Sequence, residues 1–523
     1  SFTSGADWAD EVARIDRMSK ITKQDVVDWA NKYLGPESYA IIYKREGKDP
    51  NEQKIAAPKI TPIVTNRDSQ SEFLSEIQTS QVQPIEPVFV DYKKDMSQFE
   101  AQPGIDVLYK KNETNDIFTL IYVFNTGTEN DPALNLAFNY LSYLGTDKMT
   151  AEEIASEMYD IACSFYMNAG ANQSSIQITG LSENMGKAME IVEGLIAGAK
   201  PDEAILENCK ADMLKSRADA KLNQSRCFGA LQRYLFYGGD FIRRTTLTDP
   251  ALQALTSEQL LAKIGGLMGK QHEVLYYGPQ KETEIKSALA EHHKVAADLQ
   301  PLEKKFSALL PTDANKVILA QYDAKQLYYL QFSNRGEKFD VAADPEITLY
   351  NEYFGGGMNT IVFQEMREAR GLAYSAWATL ATPSNANGDY SYYAFIATQN
   401  DKMQKAVEAF DDIINNMPES EKAFGIAKEA LVSRLRTERT VKDGVLWSYL
   451  RARDLGLDAP RDKQIFEKVQ SMTLDDVKAA QQKWVKGRKY VYGILGDIQD
   501  LDLNYLKTLG PIQTVSQEEI FGY

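Results

Sequence analysis

The segment Thr473-Leu-Asp-Asp476-Val477, followed by Lys489-Tyr-Val-Tyr-Gly493, has two earlier counterparts in the chain. They are Thr256-Ser-Glu-Gln259-Leu260 before Glu273-Val-Leu-Tyr-Tyr277-Gly278, and Thr22-Lys-Gln-Asp25-Val26 before Ser38-Tyr39-Ala-Ile-Ile-Tyr43. In each copy Thr stands three residues before Asp or Gln, which predicts a capping box at a helix start. The residues that follow predict an amphipathic helix and then an aromatic β-strand. The chain is therefore expected to contain repeated α+β domains.

The second and third copies also match upstream of these segments. Ser175-Ile-Gln-Ile-Thr179 and the following Gly180–Ala188 parallel Tyr392-Tyr-Ala-Phe-Ile396 and the following Ala397–Ala406, each predicting an alternating strand before a helix. We expect two full domains at 88–285 and 316–505, each a mainly antiparallel sheet with helices on one face. Residues 1–46 read as the last helix and strand of a preceding domain. Residues 47–87 and 286–315 have the composition of linkers. A short helix is expected within the first linker, at Ser71–Ile77. Residues 506–523 are interpreted as a C-terminal tail.

Composition excludes several classes of function. The 523 residues carry a net charge of −16, which argues against a nucleic-acid surface because phosphate binding needs clustered Lys and Arg. No apolar run approaches the roughly 18 residues that a transmembrane helix requires. The three cysteines fit neither a disulfide framework nor a zinc knuckle. Because Ser1–Gly5 shows no signal peptide, we expect any targeting segment to lie upstream, and the compartment is not determined by this sequence.

One stretch keeps the frame of a metal-binding helix but not its ligands. Leu136-Ala-Phe-Asn139-Tyr140 is followed by Gly145-Thr146 and by Thr150-Ala-Glu-Glu153. It resembles the catalytic helix of the pitrilysin/insulinase peptidases, which reads His-x-x-Glu-His before Lys-Gly-Thr and Ser-Ala-Glu-Glu. Leu136, Asn139 and Tyr140 stand where that family has the first His, the Glu and the second His. Leu has no donor atom and Asn cannot act as a base, so we expect no zinc here.

A second stretch resembles the non-zinc half of the same family. It runs from Tyr353 through Gly355-Gly356-Gly357-Met358-Asn359 and Met366-Arg367-Glu-Ala-Arg370-Gly371-Leu-Ala-Tyr374-Ser375. Read from the residues alone, the glycines allow positive φ and close backbone approach before a helix, a place suited to an anion or a peptide carbonyl. Met358–Ala369 predicts that helix, Gly371 its end, and Tyr374–Leu380 a strand.

The resemblance implies roles for these residues. Arg367 and Tyr374 match the family's pair that reaches a substrate carbonyl and its oxyanion, and Gly355, Gly356, Gly357, Met358 and Asn359 match its substrate-contacting turn. Both residue types suit oxyanion stabilisation. The residues alone leave another interpretation open, in which Arg367 is a solvated helix residue and Tyr374 a half-buried strand residue.

The resemblance also implies a function for the whole. The chain is expected to be the C-terminal part of a zinc-dependent endopeptidase or oligopeptidase of the pitrilysin/insulinase type, a clamshell that encloses unstructured peptides. Zinc would lie on an N-terminal domain that this chain does not contain, so the chain alone is expected to be inactive. Its partners would be peptide substrates and either that N-terminal half or a family partner subunit. The alternative is a non-catalytic family member that acts as a binding or assembly subunit.

The three histidines do not suggest a metal site. His272, His292 and His293 form no His-x-x-x-His pattern. His272 opens a predicted strand, and the adjacent His292 and His293 follow a polar helix. We therefore expect structural roles, with His292 and His293 on an exposed connection.

Overall fold

The computed structural model describes residues 3–43, 71–81 and 83–523, without the side chains of Leu74 and Gln78. These residues form two compact units, Ser1–Val82 and Gln83–Tyr523. The first unit contains helices α1 (Trp8–Val12), α2 (Arg14–Met18), α3 (Lys23–Tyr33) and α4 (Glu72–Thr79). The capping box predicted at Thr22 and Asp25 is confirmed at the start of α3, and the short helix expected from Ser71 is confirmed as α4. Most of the expected linker at 47–87 lies outside the described residues.

The strand predicted at Ser38–Tyr43 is not formed. The described part of the first unit contains no strand, and Ile42 is 92% exposed. A single extended segment gains no ladder of hydrogen bonds without a neighbouring strand. The amino-acid pattern of a strand is therefore present here without a sheet to complete it.

The second unit contains two six-stranded sheets. The first sheet consists of β1 (Ser97–Gln102), β2 (Ile105–Lys111), β3 (Ile117–Phe124), β4 (Cys163–Ala169), β5 (Ser174–Leu181) and β6 (His272–Gly278). The second sheet consists of β7 (Lys316–Gln321), β8 (Gln326–Lys338), β9 (Ser375–Ala381), β10 (Asp389–Gln399), β11 (Val491–Gly496) and β12 (Ile512–Val515).

The helices of the second unit fall into matching series around the two sheets. Those between β1 and β7 are α6 (Leu134–Leu141), α7 (Ala151–Asp160), α8 (Met185–Gly198), α9 (Glu203–Lys221), α10 (Gln224–Thr245), α11 (Asp249–Ala254), α12 (Ser257–Leu267) and α13 (Glu282–His292), and α5 (Tyr92–Asp95) precedes them. Those after β7 are α14 (Asp344–Tyr350), α15 (Ile361–Phe363), α16 (Met403–Asn415), α17 (Glu421–Thr437), α18 (Gly444–Asp454), α19 (Arg461–Val469), α20 (Leu474–Ala480), α21 (Leu503–Leu509) and α22 (Gln517–Phe521). Three π-helical turns, Asn351–Gly355, Gln364–Ala369 and Gln481–Val485, extend helices of the second series.

The two sheets share the arrangement of five of their six strands. Their strand orders are β1-β2-β6-β3-β5-β4 and β12-β7-β11-β8-β10-β9. In each sheet one inner pair is parallel, β2 with β6 and β7 with β11, and the pairs on the far side are antiparallel. The edge strands differ, because β1 runs antiparallel to β2 whereas β12 runs parallel to β7. The predicted α+β fold with a repeated unit is confirmed.

Each sheet is covered on both faces, not on one face as predicted. Its own helices cover one face, and a helix of the other repeat covers the second. Leu231 and Leu235 of α10 pack against the second sheet. Leu446 and Leu450 of α18 pack against the first sheet. The two repeats therefore exchange equivalent helices.

Residues 506–523, taken as a tail from the sequence, are part of this architecture. They contain the end of α21, the edge strand β12 and α22, and Ile520 of α22 is buried against the second sheet. No helix of the described residues is long and apolar enough to cross a bilayer.

Candidate functional site

Arg367 and Tyr374 lie on either side of a sharp reversal of the chain. Arg367 belongs to the π-helical turn Gln364–Ala369, and Gly371 follows with a φ of +58°, a conformation that favours glycine. The Leu372 amide donates to the Met366 carbonyl (3.0 Å), and the Tyr374 amide donates to the Ala397 carbonyl of β10 (2.9 Å). Gly371 ends the helix as predicted, and the next residues enter β9.

The reversal brings the two side chains together. The Arg367 guanidinium carbon lies 5.5 Å from the centre of the Tyr374 ring and 4.9 Å from that of Phe363. Tyr374 is 75% exposed. Arg367 makes an ion pair with Glu368, in which Nε lies 3.7 Å from Oε1. The side chains of Arg367 and Tyr374 donate no hydrogen bond to any described residue. The donor groups of Arg367 and Tyr374 are therefore free to meet a ligand. No pattern in the sequence indicated that Phe363 would support Arg367.

Close packing requires a glycine at the first position of the glycine turn. A Cβ on Gly355 would lie 2.2 Å from the Ala378 carbonyl oxygen of β9. The Asn351 side-chain amide fastens the same π-helical turn to β9, donating to the Leu380 carbonyl and accepting from its amide, both at 2.9 Å. The expected close backbone approach therefore occurs at Gly355. The expected positive φ does not occur at any of the three glycines, and Gly356 has a φ of −122°.

The helix predicted at Met358–Ala369 begins later than expected. Thr360 is its N-cap residue, because its backbone is extended and its carbonyl accepts from the Gln364 amide (3.0 Å). The Thr360 hydroxyl does not cap the helix and donates instead to the Gly357 carbonyl (2.7 Å). Met358 and Asn359 therefore lie in the turn, and Met358 is 72% exposed. This turn and the Arg367–Tyr374 pair form the candidate site.

The helix that resembles a zinc-binding helix is α6, and its residues do not fit a metal. Leu136 and Tyr140 are fully buried, whereas Asn139 is exposed. The Tyr140 hydroxyl accepts from the Asp202 amide (2.8 Å) and donates to the Ser257 hydroxyl (2.7 Å). It therefore connects α6 to the N-terminal ends of α9 and α12. Where the family pattern has an imidazole, this chain has a structural hydrogen-bond bridge.

No group of three or more His, Cys, Asp and Glu side chains in the described part of the chain is arranged to hold a metal ion.

The expectation that His293 is exposed was wrong. Its side chain is fully buried, and its Nδ1 lies 2.6 Å from Oε1 of Glu193, a residue of α8. The Tyr122 hydroxyl donates to the same oxygen (2.9 Å), and burial raises the pKa of this phenol well above its usual value. No local sequence pattern indicates the contact between Glu193 and His293, because Glu193 precedes His293 by 100 residues.

Comparison with known proteins supports the resemblance stated from the sequence. A family model described as the peptidase M16 inactive domain matches residues 272–431. An uncharacterized zinc protease of Streptomyces coelicolor is 22% identical over an alignment of 266 residues that covers 47% of this chain and 56% of that protein. Residues 272–431 therefore resemble the inactive domain of the pitrilysin/insulinase peptidases. The chain spans little more than half the length of this relative.

Two solved structures show the same fold. The peptidase M16 inactive domain from Pseudomonas fluorescens superposes with a TM-score of 0.61 at 18% identity, covering 77% of this chain and 98% of that one. A mutant of the ferredoxin protease FusC, in complex with Arabidopsis ferredoxin, gives a TM-score of 0.61 at 14% identity. That match covers 91% of this chain and 51% of FusC.

Proposed function

We propose that this chain is the peptide-positioning part of a zinc-dependent endopeptidase or oligopeptidase. The observation that carries the proposal is the convergence of the Arg367 guanidinium and the exposed Tyr374 ring at 5.5 Å. Two donor groups that face solvent at one place, without strong partners in the described residues, are suited to hold a peptide. The relatives named as zinc proteases support the same class of function.

The pair would act on the carbonyl oxygen of a bound peptide. Arg367 presents fixed N–H donors with a permanent charge, and the Tyr374 hydroxyl can donate a further hydrogen bond. Such donors stabilise negative charge as it develops on a carbonyl oxygen during hydrolysis. Phe363 and the Tyr374 ring hold the guanidinium through cation–π contacts at 4.9 and 5.5 Å, which limits its reorganisation.

The glycine turn would receive the neighbouring part of the peptide. Gly355 is fixed against Ala378, whereas a Cβ on Gly356 would meet nothing within 4 Å, so the turn has an anchored start and an open outer side. Gly356, Gly357, Met358 and Asn359 are exposed there. A peptide could therefore contact this backbone and the Met358 side chain.

The catalytic metal would be held elsewhere. Because Leu136, Asn139 and Tyr140 do not fit zinc, hydrolysis requires a zinc-bearing domain of the same protein or a family partner subunit. In this proposal 88–285 is the inactive domain and 316–505 the substrate-contacting domain of a clamshell that encloses unstructured peptides. This chain alone should contain no stoichiometric zinc and cleave no peptide, which elemental analysis and a chelator-sensitive peptidase assay would check.

The decisive experiment compares Arg367→Ala and Tyr374→Phe with wild type in the intact, zinc-loaded protein. Removal of one oxyanion donor should lower peptide turnover by about a hundredfold to a thousandfold. Arg243→Ala and Tyr159→Phe are matched controls, because the Arg243 side chain and Tyr159 are exposed by 72% and 82% and lie outside the site. Unchanged turnover in both site variants would contradict the proposal. Intact assembly with a partner, together with no turnover in the wild type, would instead favour the non-catalytic subunit.

A further inference from the structure

A cavity of about 710 Å³ lies beside the first sheet, away from the residues proposed above. Its walls come from α9, α10 and α22, from the turn between β4 and β5, and from the loop that precedes α6. Three arginines line it, namely Arg217, Arg226 and Arg233, and Glu129 is the acidic residue among its lining side chains. This concentration of positive charge is unexpected in a chain with a net charge of −16.

One of the three arginines already has its counterion. Arg217 forms a short ion pair with Asp249 and donates to the Leu247 carbonyl (2.6 Å). Its guanidinium carbon also lies 4.4 Å from the centre of the Tyr523 ring. Arg217 therefore forms a fixed part of the wall, and its charge is largely balanced.

The other two arginines have no carboxylate partner within ion-pair distance among the described residues. Arg226 is exposed, and its guanidinium donates a long hydrogen bond to the Ser216 carbonyl (3.4 Å). Arg233 donates to the Thr245 hydroxyl (2.6 Å) and lies over the Phe241 ring at 5.0 Å. The partners of Arg226 and Arg233 in these contacts are uncharged groups. Two guanidinium charges therefore border the same cavity without a direct counterion.

The environment of Arg233 makes this arrangement costly. Burial lowers the pKa of its guanidinium, while the charge of Glu129 acts in the opposite direction. The Glu129 carboxylate already accepts a hydrogen bond from the Ser307 hydroxyl. Arg keeps its proton in proteins, so its charge must be balanced by an anion when water is removed.

The remaining lining limits the size and kind of ligand. A volume of 710 Å³ is far larger than one simple inorganic anion requires and falls in the range typical of ligand pockets. Met213, Leu247 and Phe521 give the cavity apolar walls beside the charged ones. A ligand that combines carboxylates with apolar groups therefore matches both parts.

We propose that this cavity binds a peptide segment that carries carboxylate side chains, with Arg226 and Arg233 as its counterions. Arg217 orders the wall of the cavity. The inference concerns a site separate from Arg367 and Tyr374 and does not depend on their proposed role.

The test uses the full chain and fluorescence anisotropy. The probes are a labelled short peptide of Glu, Ala and Leu and a matched peptide with Lys in place of Glu. The acidic peptide should bind and the basic one should not. Arg226→Gln and Arg233→Gln should each weaken binding about tenfold or more, since each removes a charge-assisted contact. Arg243→Gln, on the same helix but outside the cavity, should bind as the wild type does.

Several results would overturn the inference. They are equal affinity for the two peptides, unchanged affinity in both cavity variants, or loss of binding in Arg367→Gln with the cavity variants unaffected. Inorganic phosphate distinguishes a simple anion site. If phosphate raises the melting temperature and the acidic peptide does not bind, the cavity holds a free anion and not a peptide. Arg226→Gln keeps the test valid if Arg233→Gln fails to fold, because the exposed Arg226 makes no close contact that the fold requires.

Discussion

The Nε2 atoms of His272 and His293 lie 2.9 Å apart inside the first repeat. His272 Nδ1 lies 2.8 Å from the Lys270 carbonyl, which can only accept, so this nitrogen carries a proton. Burial lowers the pKa of His272 to about 4, so its ring is neutral at pH 7 and its Nε2 accepts from His293. His293 Nδ1 lies 2.6 Å from Glu193 Oε1. The geometry thus assigns the protons on His272 Nδ1 and on His293 Nε2 in the chain of hydrogen bonds from Lys270 to Glu193.

Glu193→Ala should strongly destabilise the protein. The change leaves the Tyr122 hydroxyl and His293 Nδ1 without a partner, and also the Lys294 amide, which donates to Glu193 Oε2 at 2.8 Å. Breaking such a buried network costs about 3 kcal/mol or more. Urea unfolding would measure the loss. Glu190→Ala is the control on the same helix, because this residue pairs with His292 at the surface and should cost less than about 1 kcal/mol. Equal losses would contradict the network.

The stability should depend on pH through His272. Its pKa is about 4 in the folded chain and 6.5 ordinarily, so between these values the unfolded chain binds a proton that the folded chain does not. The unfolding free energy should therefore fall as the pH falls from about 6.5 to about 4, by at most about 3 kcal/mol from this residue. Carboxylates also titrate in this range, so the measurement is the difference between wild type and His272→Asn. A variant with the same pH profile as the wild type would refute the assignment.

Tyr140→Phe should show that the Tyr140 hydroxyl supports the fold. The variant leaves the Asp202 amide and the Ser257 hydroxyl without their common partner, at a cost of about 1–3 kcal/mol. Tyr143→Phe is a suitable control, because Tyr143 is 55% exposed on the same segment. Thermal unfolding of both variants would be compared. If Tyr140→Phe is as stable as the control, the hydroxyl bridge contributes nothing.

Gly355→Ala and Gly356→Ala should have opposite outcomes although the residues are adjacent. A Cβ on Gly355 would meet the Ala378 carbonyl oxygen at 2.2 Å, so the backbone must shift, whereas a Cβ on Gly356 meets nothing within 4 Å. Neither has a positive φ, so backbone strain does not separate them. Gly355→Ala should cost about 2 kcal/mol or more in stability, as other overpacking substitutions do. Equal stability of the two variants would contradict the close packing against β9.

The repeat could be predicted because its signals are local. The capping boxes at Thr256 and Thr473 depend on residues three positions apart, and both formed as predicted. Alternation in Tyr392–Ile396 likewise reports the burial of one strand. The reversal that places Arg367 beside Tyr374 followed from Gly371, whose neighbours favour helix on one side and strand on the other. The catalytic and substrate-binding roles of these residues remain predictions.

The features that the sequence did not predict depend on distant partners. An amphipathic pattern shows that α10 has an apolar face, but not that the face packs on the sheet of the other repeat. The π-helical turns leave no recognisable pattern, since each spans only five or six residues, too few to show a period. His293 looked exposed because its neighbours are polar, whereas its partners Glu193 and His272 come from other elements.

The exchange of α10 and α18 has a consequence for biosynthesis. Strand β6, which completes the inner part of the first sheet, ends at Gly278, and α18 begins at Gly444, 166 residues later. Leu108, Ile121 and Leu275 lie on the sheet face that α18 covers. At translation rates of about 5–20 residues per second, this face would remain exposed for roughly 10 to 30 seconds before α18 is synthesised. During that interval the nascent chain presents an apolar surface to other nascent chains and to chaperones. The covering helix belongs to the second repeat, so the first repeat becomes fully protected only after most of the second has been made.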